Sequence, residues 1–180
     1  MPTWILDSDH SVAAFVVRYL MLVNVRGQFN KMKGSITFDP PDTGGLSVEV
    51  EIDAASVRTG VQKRDEHLRT ADFFDVDKHP KILFKSTKVA RGRGEDCTVT
   101  GDLTMHGVTR PVTFKGEYSG PVDLPEFMGG EKCIGFSGSL VINREDFGLL
   151  WGSEAFGPGG TLVSKDVELF IDVAADRAEE

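Results

Sequence analysis

Val48-Glu49-Val50-Glu51-Ile52-Asp53 alternates apolar and acidic side chains without a slip. A strand points successive side chains to opposite faces, so this run has one dry face and one wet face. The same beat recurs in Val112-Thr113-Phe114-Lys115-Gly116-Glu117-Tyr118, in Ile134-Gly135-Phe136-Ser137-Gly138-Ser139-Leu140 and in Val167-Glu168-Leu169. Strands of this kind must share an apolar interior, which makes the chain all-β. If the sheet closes on itself, the interior is either a packed core or a pocket for an apolar ligand.

Outward from that run, strands are predicted over residues 11–19, 27–38 (with a bend at 30–34), 46–54, 81–89, 97–105, 109–120, 132–143 and 164–173. Pro40-Pro41-Asp42-Thr43-Gly44-Gly45 and Arg91-Gly92-Arg93-Gly94 read as turns, and His106-Gly107-Val108 as the tip of a hairpin. The beat of two lapses over residues 55–80. There residues 62–69 are rich in helix formers, and Asp65 stands four before Arg69, the favourable acid-then-base order. His79-Pro80 ends this short helical insertion, since a residue before proline is pushed out of the helical region. The total is about eight strands, sequentially hairpinned into an antiparallel meander. Eight is the number at which a closed barrel has room for one small ligand.

The 180 residues fit one domain, with a barrel over about 4–173 and a polar tail over 174–180. A net charge of −8 argues against nucleic acid and against anionic membrane surfaces as partners. No stretch approaches the roughly 18 apolar residues of a membrane span. The start, Met1-Pro2-Thr3-Trp4-Ile5-Leu6-Asp7, lacks a basic and apolar leader, so a cytoplasmic location is expected, or a periplasmic or secreted one if the chain is a processed form. Cys97 and Cys133 lack metal-type spacing and are expected as reduced thiols.

Several blocks carry a resemblance. Trp4-Ile5-Leu6-Asp7-Ser8-Asp9-His10-Ser11, Val25-Arg26-Gly27-Gln28-Phe29, Arg64-Asp65-Glu66-His67-Leu68-Arg69-Thr70-Ala71-Asp72-Phe73-Phe74, Gly101-Asp102-Leu103-Thr104-Met105-His106-Gly107-Val108-Thr109-Arg110-Pro111-Val112 and Ile142-Asn143-Arg144-Glu145-Asp146-Phe147-Gly148-Leu149 occur in the order of the YceI-like family. The resemblance spans nearly the whole chain. It implies an extended lipocalin-like antiparallel β-barrel that binds or transports a polyisoprenoid, an isoprenoid-quinone-like lipid or a related amphiphile. Many members are secreted to the periplasm, whereas no signal is expected from the start read here, and Tyr19-Leu20-Met21-Leu22-Val23 stands where a histidine and a Leu-Gly-Ile-like run often stand. Tyr19 can still donate one hydrogen bond.

The candidate ligand-binding residues are therefore Phe15, Val17, Tyr19, Phe29, Ile36, Phe38, Val50, Ile52, Phe84, Leu103, Phe114, Phe136, Leu140, Trp151 and Leu169, with Val48 and Ile171 on the same apolar face. The competing reading is a filled core. Arg58, Arg64 and Arg69, with Lys63, could pair with a diphosphate head group, since guanidinium forks suit phosphate oxygens. A solvated helix face paired with Asp65 and Glu66 is the plainer account. None of His10, His67, His79 and His106 has a second ligand at metal spacing, so no metal and no cofactor is expected. Two other readings stay open. One is an enzyme on a lipidic substrate using His67 or His106 with a nearby acid. The other is a filled-barrel interaction module, dimeric through an edge or the 147–156 loop.

Overall fold

A computed structural model describes residues 1–178, with the backbone alone at Thr43 and Gly44. The strands are β1 (Thr3–Tyr19), β2 (Val23–Phe29), β3 (Met32–Asp39), β4 (Asp42–Asp53), β5 (Val57–Arg58), β6 (Lys81–Arg91), β7 (Asp96–Met105), β8 (Val108–Asp123), β9 (Lys132–Asn143), β10 (Ala155–Phe156), β11 (Gly160–Thr161) and β12 (Val163–Arg177), with one helix, α1 (Gln62–Arg69). Eight of them run β12-β9-β8-β7-β6-β4-β3-β1, and β12 pairs back onto β1 to close the barrel. All pairings are antiparallel, and β2 with β5 extends the sheet beyond β1.

The opening hexapeptide does what its alternation dictates. Val48, Val50 and Ile52 turn inward. Glu49 and Glu51 stay outside and meet lysines of the neighbouring strands: Lys85 at 2.7 Å from Glu49, Lys33 at 3.3 Å and Lys81 at 3.0 Å from Glu51. Such exposed pairs contribute little individually, but a one-residue slip would bury both carboxylates.

Some expected boundaries move. β1 begins at Thr3 rather than at residue 11, because Trp4 and Leu6 already alternate inward. The polar run after them hides this: its register against β12 shifts between Asp7 and Val12, where the Asp7 carboxylate accepts from the backbone N–H groups of Asp9 and His10. Residues 27–38 are two strands, broken at Asn30 and Lys31, so that β2 and β3 each pair with a different part of β1. Residues 174–177, expected in a polar tail, belong to β12, and Ala175 is fully buried. The last two residues of that expected tail lie outside the described residues. The 157–160 turn is the tip of a small hairpin joining β10 and β11.

The two ends of the barrel differ. At one end α1 and the residues after it fold over the opening. Leu68, Phe74 and Val76 pack on a cluster containing Phe15, Phe29, Met32, Ile52, Met105, Phe147 and Leu149. Phe74 meets Phe29 edge-on at 5.5 Å. This is the closed end. At the other, Trp4, Ile36, Phe38, Ile134 and Ala175 form a second cluster. Trp4, 1% exposed, donates from Nε1 to the Phe38 carbonyl at 2.8 Å and so ties the start of β1 to β3.

Candidate functional site

Between the two clusters lies a cavity of about 150 Å³. Its closed end is formed by Met32, Ile52, Ile82 and Met105, and its middle by Val50, Phe84, Val99, Leu103, Phe114 and Leu169. At the far end stand Phe38, Val89, Tyr118, Phe136 and Arg91. The interior is thus not completely filled, contrary to the filled-core reading. Among the described residues of the lining Arg91 alone is exposed, which makes that end the one nearest solvent.

The lining is apolar apart from that end, where the chemistry changes. The Tyr118 hydroxyl is buried and has no hydrogen-bond partner among the described residues. Burial raises its pKa, with the Arg91 charge opposing, so at neutral pH it is an uncharged donor. The Arg91 guanidinium stands 5.6 Å from the centre of the Tyr118 ring, and its Nη1 donates to the Pro41 carbonyl at 3.4 Å. A buried hydroxyl left unpaired costs about 1–3 kcal/mol, which a ligand acceptor at this point would recover.

Ten of the candidate residues line the cavity: Phe29, Ile36, Phe38, Val50, Ile52, Phe84, Leu103, Phe114, Phe136 and Leu169. Five do not. Phe15 lies over Gly27, whose missing side chain leaves the space; a Cβ there would collide with the ring. Val17 and Tyr19 are on the part of β1 that runs past the closed end between β2 and the start of β12, and Tyr19 is 45% exposed. Leu140 packs on the closed-end cluster. Trp151 packs outside, edge-on to His67 at 4.9 Å and tilted against Phe73 at 5.3 Å.

Residues 4–175 match the family model described as a YceI-like domain. The chain belongs to the YceI-like family. It is 37% identical over 171 residues to a UPF0312 protein of Pseudomonas aeruginosa (strain LESB58), covering 95% of this chain and 84% of that protein. Among solved structures it resembles Burkholderia cenocepacia BcnA, with a TM-score of 0.79 and 25% identity over 94% of this chain and 98% of that one. A domain from Saccharophagus degradans, described as polyisoprenoid-binding, shares the fold at a TM-score of 0.73 and 20% identity, covering 99% of this chain and 100% of that one. Among the described residues no helix is long and apolar enough to cross a membrane.

The YceI-like chain spends its basic cluster elsewhere. Arg64 donates from Nε to Thr59 Oγ1 (2.6 Å) and from Nη2 to the Thr59 carbonyl (2.9 Å). Thr59 in turn donates its hydroxyl and its backbone N–H to buried Asp65. Arg69 donates to the carbonyls of Ala55 and Val57. Arg58 is on β5, which pairs only with β2 outside the closed barrel. None of the three lines the cavity. The Arg64 and Arg69 guanidiniums instead bind groups of the 55–59 segment at the closed end. The sequence offered little sign of this, because three of the four acceptors are backbone carbonyls.

Neither histidine of the enzyme reading faces the cavity. His67 Nε2 pairs with Asp72 at 2.8 Å on the surface. His106 Nδ1 meets the Phe147 carbonyl at 3.0 Å, and the fold brings this ring beside His79 and Asp75, far from it in sequence. Cys97 and Cys133 are both free. Burial pushes the Cys133 thiol up to about 11, helped by the hydrogen bond to Asp176 and its charge, and burial raises Cys97 as well. With the reactive thiolate suppressed, iodoacetamide at pH 8 is expected to leave both cysteines unmodified until denaturant is added; mass spectrometry would show it, and rapid native labelling would contradict it.

Proposed function

We propose that this chain binds and carries a polyisoprenoid or similar amphiphilic lipid, with the hydrocarbon chain inside the barrel and the polar head at the Arg91–Tyr118 end. The observation that carries this reading is an apolar cavity covered by the insertion at one end, whose other end holds an unpaired, buried hydroxyl beside a cation. The polyisoprenoid-binding description of the Saccharophagus degradans domain, which shares the fold, supports it.

Size sets how the lipid enters. A dry 150 Å³ void is one that accepts benzene, so the resting cavity takes about one five-carbon unit. Burying such a unit is worth about 3–4 kcal/mol at ~0.8 kcal/mol per carbon. Ordering the chain and immobilising the ligand oppose this. A longer chain must therefore displace side chains, and Met32 and Met105 at the closed end are the flexible ones able to give way.

Native mass spectrometry after mild purification tests the reading. A co-purified lipid, or uptake of one prenyl alcohol or isoprenoid quinone per chain, is expected. A clean unliganded mass with no uptake would overturn it. Tyr118→Phe should weaken binding about fivefold, the worth of one hydrogen bond of ~1 kcal/mol. Unchanged affinity in a fluorescence competition assay would remove Tyr118 from the head-group site while leaving the chain site standing.

A further inference from the structure

Three potential metal ligands converge beside the closed end of the barrel, away from the lipid cavity. One ligand atom each of Asp75, His79 and His106 lies within 4.8 Å of the other two, and all three side chains are half-buried. The two imidazoles stand 5.0 Å apart at 64°. We propose that these residues form a binding site for a zinc-class divalent cation, with three protein ligands and a fourth position open to solvent.

The chemistry of the set fits that class. Two imidazoles and one carboxylate are ligands that zinc and its neighbours accept, and hard oxygen-seeking cations are poorly served by them. A carbonyl oxygen can only accept, so His106 carries its proton on Nδ1, donating to Phe147, and keeps its Nε2 lone pair for a metal. An outer hydrogen bond of this kind is what fixes the tautomer and ring orientation of histidine ligands. Tetrahedral zinc holds its ligand atoms about 3.4 Å apart at bond lengths near 2.1 Å. Closing the observed triangle to that size needs each atom to move inward by about 1 Å or less, within reach of side-chain rotation.

The backbone is committed to this arrangement at some cost. Asp75 has φ +49° and His106 has φ +53°, a region that residues other than glycine seldom enter. His106 and Gly107 (φ +74°) form the two-residue turn between β7 and β8, where asparagine would be the usual first residue. A Cβ on Gly107 would lie 2.8 Å from His79 Cε1, so glycine here also lets the second imidazole approach. Asp75 is held by its N–H to the Thr70 carbonyl, and its own carbonyl accepts from His79 N–H at 2.8 Å, which fixes two ligands relative to each other. Its carboxylate pairs with the exposed Lys78 ammonium at 3.8 Å, a loose pair that a metal can displace.

A bound cation would tie the insertion (Asp75, His79) to the β7–β8 hairpin (His106) and so clamp the segment that closes the barrel. The inference stands apart from the lipid reading, since no residue of the trio lines the cavity. The test is titration of metal-stripped protein with zinc chloride by calorimetry, and with cobalt chloride by visible absorption. One equivalent of zinc and an intense tetrahedral-type cobalt spectrum are expected from the wild type. His106→Asn, which keeps the turn, and His79→Gln should each weaken zinc binding about tenfold or more. His67→Gln, whose ring pairs with Asp72 and packs on Phe73 and Trp151 outside the trio, should not. Zinc should raise the melting temperature of the wild type and not that of His79→Gln. Absence of saturable zinc and cobalt binding by the wild type overturns the proposal whatever the variants do. So does equal affinity in folded His106→Asn and His79→Gln, checked by circular dichroism without metal.

Discussion

Arg144→Met is expected to lower stability by about 3 kcal/mol, because it takes the guanidinium donor from the buried Ser164 and Leu149 carbonyls at about 1–3 kcal/mol each, while Val163 keeps the Thr161 hydroxyl as a donor. Arg144 is 4% exposed. Its Nε donates to the Ser164 carbonyl at 2.8 Å, Nη1 to Leu149 at 2.6 Å, and Nη2 to Val163 at 3.0 Å and to Ser153 Oγ at 3.2 Å. Burial lowers its pKa, opposed by the charges of Glu145 and Glu154, but a guanidinium stays charged at any working pH. The fork joins the turn of residues 144–147 to the start of β12, and that turn carries Phe147 and Leu149 into the closed-end cluster. For a chain of this size, 3 kcal/mol corresponds to a fall of about 10 °C in Tm. Thermal and urea unfolding would read it. Arg144→Lys, which keeps the charge but loses the planar fork, should recover only part of the loss. A change in Arg144→Met below about 1 kcal/mol would mean that water replaces the guanidinium without penalty.

Val99→Trp is the counterpart for ligand binding. Val99 is buried on β7 and lines the middle of the cavity. An indole there fills much of the 150 Å³ and removes room for a five-carbon unit. Losing about 3 kcal/mol of burial corresponds to about a hundredfold fall in affinity. Overpacking should cost about 1–3 kcal/mol of stability, so the variant is expected to fold. Val141→Trp, on the exposed face of β9, is the control and should bind as the wild type does. Wild-type affinity in Val99→Trp would place the lipid outside the barrel.

Much of this was legible in the sequence, for a definite reason. Alternation reports which face a strand buries, so the eight-strand barrel and nearly half of the cavity wall followed from it. The bounds of α1 and β9 match the expected 62–69 and 132–143 because polar composition and turn residues mark both ends. Tyr118 was legible too, since it shares its parity with Phe114 on β8, but its inward hydroxyl gains meaning only once it is seen to lack a partner. Arg91 was hidden. The pairing of β6 with β7 shifts between Ser86 and Lys88, so Ile82 and Phe84 face inward before the shift and Val89 and Arg91 after it. A bulge of this kind leaves no mark in composition. Val17 and Tyr19 kept the right parity but lie on a strand longer than the barrel is tall. The approach of His79 to His106 depends on how the insertion folds back over the hairpin, which no local spacing records.

The most direct measurement is a crystal structure of the protein saturated with a prenyl alcohol such as geranylgeraniol. The account predicts a chain between Phe84, Phe114 and Leu169, with Met32 and Met105 turned aside and the alcohol oxygen within hydrogen-bond distance of the Tyr118 hydroxyl. An empty barrel at saturating ligand, or a lipid held only on the outer surface, would contradict it.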